Sequence, residues 1–171
     1  MKRFVILLVA IVAALSPLAA QNYMVVDSEK VFKSIPEYTA ALTELDKLSK
    51  NYQTQVDAKF NDVERLYNSY MAQRNSLTAA DRNARESQIL KQEEEANEFQ
   101  ESIFSTEGIL MQRRIELISP IQKKVFGAIE SYAQENGFDL VLDLASNATI
   151  LYKSYSIDRT ESVINALKSA N

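Results

Sequence analysis

The side chains of this chain that could do chemistry are carboxylates. Asp139 and Asp143 fall on one face of the run FDLVLDLA, residues 138–145, and Asp158 follows further along. Paired carboxylates serve hydrolases as acid and base. Two strand positions four residues apart stand roughly 13 Å from each other by strand rise alone, too far to share one bond readily. The chain has only three glycines and no Gly-rich loop to shape a pocket around them. It also has no His and no Cys, which removes Ser-His and Cys-His nucleophiles and the commonest zinc ligands. The reading is therefore of a protein that is not an enzyme, with no catalytic residue, metal or cofactor.

Those carboxylates sit among short strands. Phe138, Leu140, Leu142 and Leu144 alternate with Asp139, Val141 and Asp143. Ser146-Asn147 suits a turn, and TILYKSY, residues 149–155, reads as a partner strand with Ile150 and Tyr152 on one face. A lone two-stranded hairpin is marginal in water, so another strand must complete it. YMVVD, residues 23–27, is the candidate, with Val25 and Val26 in a β-branched run. Asp27 or Ser28 then caps a short helix bearing Val31 and Phe32, and Asp158-x-x-Glu161 opens a last helix bearing Val163, Ile164 and Leu167.

Between these ends the chain reads as helix. Ser34-x-x-Glu37 has capping-box spacing, and Pro36 suits a first turn. Apolar residues at 38, 42, 45, 48, 52, 56, 60, 63, 67 and 70 draw one stripe. From Pro36 to about Ser76 such a helix runs on the order of 60 Å, too long for a compact globule. Thr78-x-x-Asp81 caps a second helix, whose stripe passes through Ile89, Ala96, Phe99 and Ile103, then on through Leu110, Ile115, Ile118 and Val125. Two long helices with a short link predict an antiparallel hairpin. Ser119-Pro120 predicts a kink, Gly108 reads either as a flexible point or as an exposed, tolerated glycine, and Asn136-Gly137 supplies the stop.

Composition narrows the setting. Residues 1–20 carry two cations, an apolar run and small residues ending at Ala20, the pattern of a secretory signal cleaved before Gln21. Setting aside Lys2 and Arg3 leaves 17 of the 19 basic side chains against 23 acidic ones, a net charge of −6 that argues against nucleic acid. Without cysteines there is no disulfide framework, so stability rests on packing or assembly. Three strands and a covering helix make a small core, and open sheet edges invite pairing with another copy. A homo-oligomer follows from the residues alone.

The N-terminal YMVVDSEKVFKSIPEY and the C-terminal ISPIQKKVFGAIESYAQENGFDLVLDLASNATILYKSYSIDRTESVINAL resemble the OmpH/Skp family of periplasmic outer-membrane-protein chaperones. The likeness spans the chain after residue 20, is specific at both ends and is compositional in the hairpin; Arg159 stands where the family commonly has an aliphatic residue. The resemblance implies an α+β fold: a small β-barrel body shared between the subunits of a homotrimer, with a long antiparallel α-helical hairpin, a coiled-coil tentacle, projecting from each. Residues 21–35 plus 119–171 would form the discontinuous β-rich trimerisation body and residues 36–118 the tentacle. Val25, Val26, Val31, Phe32, Leu140, Leu142, Ile150 and Tyr152 would lie in the trimer core.

The implied function is that of an ATP-independent periplasmic holdase, which binds unfolded outer-membrane β-barrel proteins in a cavity between tentacles and prevents their aggregation before insertion. Tyr52, Phe60, Tyr67, Tyr70, Phe99 and Phe104 are the candidate client contacts, although stripe aromatics ordinarily glue helices together. Tyr67 and Phe104 lie beside Leu66 and Ile103, so one of each pair faces away from the seam. Better-known members of the family are basic, whereas residues 36–118 here hold ten basic and fifteen acidic side chains; lipopolysaccharide or lipid binding is therefore not carried over. The rival reading is a structural or adaptor coiled-coil envelope protein that docks a folded partner.

Overall fold

The structure is a computed structural model that describes residues 22–145 and 150–169. The expected signal segment and the expected turn at Ser146-Asn147 lie outside the described residues. Elements follow in the order β1 (Tyr23–Val26), α1 (Ser28–Lys33), α2 (Pro36–Gln73), α3 (Ala79–Phe104), α4 (Ile109–Glu135), β2 (Leu140–Asp143), a 3-10 turn (Tyr155–Ile157) and α5 (Thr160–Ser169). The described residues within Met1–Ser34 and Lys124–Asn171 make one compact unit, and Ile35–Lys123 make the other.

In the first unit β1 and β2 pair in parallel, Tyr23 opposite Leu140 and Val26 opposite Asp143. Val25 bridges Asp158 on the other side of β1, where Arg159 donates its backbone N–H to the Val25 carbonyl at 2.9 Å. The N-terminal strand thus does return to the C-terminal residues. The second expected strand does not form: residues 150–154 pair with no strand among the described residues. Alternating side chains report a pattern, but a strand also needs a hydrogen-bonding partner, and at this sheet the ladder position is held by Asp158. Met24, Val25, Val26 and Val31 pack with Val125, Val163 and Leu167 as the buried core, and Phe32 meets Phe126 edge-on at 5.9 Å.

Caps explain where the helices begin and end. Asp27 caps α1 by accepting from the Lys30 N–H at 3.0 Å. Ser34 does not open α2; its hydroxyl donates back to the Val31 carbonyl at 2.7 Å and closes α1. Ile35 is the N-cap of α2, with no side-chain cap bond, and Pro36 needs no partner for an N–H it lacks. Thr78 does form its cap, accepting from the Asp81 N–H at 3.2 Å. Gly137, at φ 70°, ends α4 in the left-handed region while Phe138 donates to the Ala133 carbonyl at 2.9 Å.

The second unit is the helical hairpin, α2 against α3 and α4. Its 38-residue first arm is about 57 Å long at 1.5 Å per residue. The second arm is not one helix: it breaks from Ser105 to Gly108, between α3 and α4. Gly108 is buried there, against the backbone of Ile103, so the exposed, tolerated reading is corrected. Pro120 sits inside α4, which continues through it; the ring removes one hydrogen bond from the ladder without ending the helix.

Candidate functional site

The three carboxylates are structural. Asp143 accepts from the Ser28 backbone N–H at 3.0 Å and the Ser28 hydroxyl at 2.7 Å, fastening β2 to the start of α1. Asp158 accepts from the Thr160 hydroxyl at 2.6 Å and N–H at 3.0 Å, and pairs with Lys153. Partial burial pushes the Asp158 carboxyl up, but the bonds from Lys153 and Thr160 outweigh it and hold the carboxyl at about 2. Asp139 is exposed and accepts from the Asn22 N–H at 3.2 Å. Among the described residues no group of His, Cys, Asp and Glu could hold a metal ion, and no helix is long and apolar enough to cross a membrane.

The hairpin is where apolar side chains meet solvent. Val56, Tyr70, Ala96 and Ile103 are buried between its arms. Tyr70, expected among the accessible aromatics, is only 6% exposed, and its hydroxyl donates to Glu86 across the turn between the arms. That hydrogen bond raises the Tyr70 pKa above its usual value, with burial adding to the shift. Tyr52, Phe60 and Phe99 are half-buried at the seam, where the Lys59 ammonium lies over the Phe99 ring at 5.2 Å. Tyr67 and Phe104 do face outward, while Leu66 and Ile103 take the inner positions.

Sequence reasoning missed the aliphatic part of this surface. Leu42, Met71, Leu90, Met111 and Ile115 are exposed, two of them having been assigned to the stripes. Ala41 holds the inward place beside Leu42, and at about 100° per residue Ile115 stands roughly 140° around the axis from Leu110, so Leu117 and Ile118 take the more buried places instead. Plotting each arm separately around its axis would have found them. Tyr67, Met71 and Leu90 share a cleft of about 490 Å³ near the turn, together with Arg74, Glu86 and Glu93.

In the first unit, Val25, Val26 and Val31 are buried, Phe32 and Ile150 are half-buried, and Leu140, Leu142 and Tyr152 lie outside the single chain's own core. Leu151 is 96% exposed and Tyr152 86%. Such a run of bare apolar side chains on a small folded unit marks an interaction surface.

Comparison with known proteins agrees with this architecture. A family model described as Outer membrane protein (OmpH-like) matches residues 22–167. Curated relatives include the chaperone protein Skp of Yersinia enterocolitica, 24% identical over 91% of this chain and 92% of its own length. The chaperone protein Skp of Pectobacterium atrosepticum is 23% identical over 91% of each chain. A crystal structure from Caulobacter crescentus CB15, described as an outer membrane chaperone (OmpH-like), shares the fold with a TM-score of 0.68 at 10% identity, over 90% of this chain and 87% of that one. With its strand pair, its long helices and a family match across nearly its whole length, the chain belongs to the OmpH-like outer membrane protein family.

Proposed function

We propose that this protein is an ATP-independent holdase of the periplasm, which keeps unfolded outer-membrane β-barrel proteins soluble before insertion and is not an enzyme. The observation that carries this reading is the hairpin's exposed apolar surface, Leu42, Tyr67, Met71, Leu90 and Ile115, in a family whose curated relatives are chaperones. An unfolded barrel chain presents alternating apolar residues that aggregate in water. Many weak contacts to such residues hold the chain without making any one contact slow to break.

In this reading the bare Leu140, Leu142, Leu151 and Tyr152 are covered by neighbouring copies in a homotrimer, which would also give residues 150–154 a strand partner. Three hairpins then enclose the client cavity. The acidic arms argue against nucleic acid and anionic lipid as ligands.

The test is light scattering after diluting a urea-unfolded outer-membrane barrel protein, with and without the chain lacking residues 1–20, no nucleotide present. Suppressed scattering at about one trimer per client is expected under multivalent capture. Unaltered scattering by a folded oligomer would overturn the reading in favour of a structural coiled coil that docks a folded partner.

A further inference from the structure

The exposed apolar residues of the hairpin are one-sided. At about 100° per residue, Leu42, Tyr67 and Met71 point within roughly 40° of one another around α2. On the same count their mean direction lies about 80° to one side of that of the half-buried Leu48 and the buried Val56 and Tyr70. Leu90 and Phe104 on α3, and Met111 and Ile115 on α4, are offset from their own buried neighbours in the same rotational sense. In an antiparallel pair, equal sense places both flanks on one side of the hairpin. Two clefts accord with this: Leu42 and Leu110 line one, and Tyr67, Met71 and Leu90 line the other. The opposite side is polar, tied across by Arg113, which donates to Glu44 at 2.6 Å.

Charge selects what the cleft near the turn accepts. Arg74 and Glu86 offset each other in its lining, leaving Glu93. Glu64 precedes Tyr67 and Met71 by three and seven residues, so it shares their face. Neither Glu64 nor Glu93 has a hydrogen-bonding or ion-pair partner among the described residues. An apolar floor with the uncommitted Glu93 in its lining, and Glu64 one turn along the same face of α2, complements a chain that alternates apolar and cationic side chains, and it repels one that alternates apolar and anionic ones.

Resting on the holdase reading, we infer that the cleft of Tyr67, Met71 and Leu90 grips client segments in which an aliphatic or aromatic residue lies beside a Lys or Arg. Glu64 and Glu93 set that preference. The client-gripping face is thereby the Tyr67 side of the hairpin, and the Glu44–Arg113 side faces away from the client.

The experiment measures fluorescence anisotropy of short labelled peptides that alternate Leu or Tyr with Lys, or with Glu, titrated with the full chain lacking residues 1–20. The Lys peptide binds about threefold to tenfold tighter than the Glu peptide, the scale of exposed charge pairs. E64Q combined with E93Q erases the preference, and Met71→Ser with Leu90→Ser weakens both peptides while the mass by light scattering stays unchanged. Equal binding of the two peptides, or a preference that survives E64Q and E93Q, overturns the inference. A fall in mass on Met71→Ser with Leu90→Ser also overturns it, because the face would then join copies of this chain. Protection of unfolded barrels without any peptide preference sinks this inference alone. Peptide preference without protection leaves the cleft standing and sinks the holdase reading.

Discussion

A Cβ added to Gly108 would stand 2.6 Å from the carbonyl oxygen of Ile103. Backbone fills the space that a side chain would need, and backbone cannot swing aside as the tip of a flexible side chain can. The close approach lets the second arm break at Ser105–Gly108 and resume while Ile103 stays buried against α2.

Gly108→Ala therefore forces the joint between α3 and α4 apart. The expected cost is about 1–3 kcal/mol, the range for overpacking a fitted site, read as a lower urea midpoint. Were Gly108 an exposed mid-helix residue, the same change would stabilise by up to about 1 kcal/mol, so the sign alone decides.

Asp158 gives the first unit a dependence on acid. Its folded-state value of about 2 lies below the unfolded 3.8, so its contribution is complete above the unfolded value and is lost as pH falls through the folded one. Asp158→Asn should lower the Tm at pH 7. The gap to the parent chain should then close between about pH 4 and pH 2. A gap that persists at pH 2 would mean that the carboxylate's charge is not what Lys153 and Thr160 hold.

Much of this molecule was legible because its signals are local. Thr78 with Asp81, Asp27, and Gly137 mark helix ends whatever surrounds them, and the 3.6-residue period of α2 needs no knowledge of its partner. Ser34 misled because a hydroxyl can cap the helix ahead or close the one behind, and the geometry of Val31 chose the latter. Ile115 misled because it lies three residues before Ile118 but five after Leu110, a spacing that at about 100° per residue turns it out of the row. Leu42 was read into the stripe although Ala41 takes the inward place, while Met71 and Leu90 were passed over because each follows a stripe residue, Tyr70 and Ile89, and of two adjacent apolar residues only one faces inward.

Leu142 tests the proposed assembly. It is exposed on β2, next to the buried Val25 in the parallel ladder, so an aspartate there costs the single chain little. In a shared core it buries an unpaired charge, which costs several kcal/mol. Leu142→Asp, and Leu140→Asp likewise, should reduce the mass by light scattering to that of one chain while far-ultraviolet dichroism stays nearly the same. An unchanged mass would move the subunit interface elsewhere.

The hairpin can be removed cleanly because Glu44 and Arg113 are hydrogen-bonded neighbours on α2 and α4. Deleting residues 45–110 and bridging the cut with a short Gly-Ser link joins ends that already lie near each other, beside the Glu44–Arg113 pair. The first unit draws its core from Met24, Val31, Val125 and Val163, none of them in the deleted segment. The shortened chain should keep its number of subunits per assembly and lose its protection of an unfolded barrel protein. Full protection by the shortened chain would place client binding on the strand-bearing unit, and the apolar face of Tyr67, Met71 and Leu90 would then need another occupant.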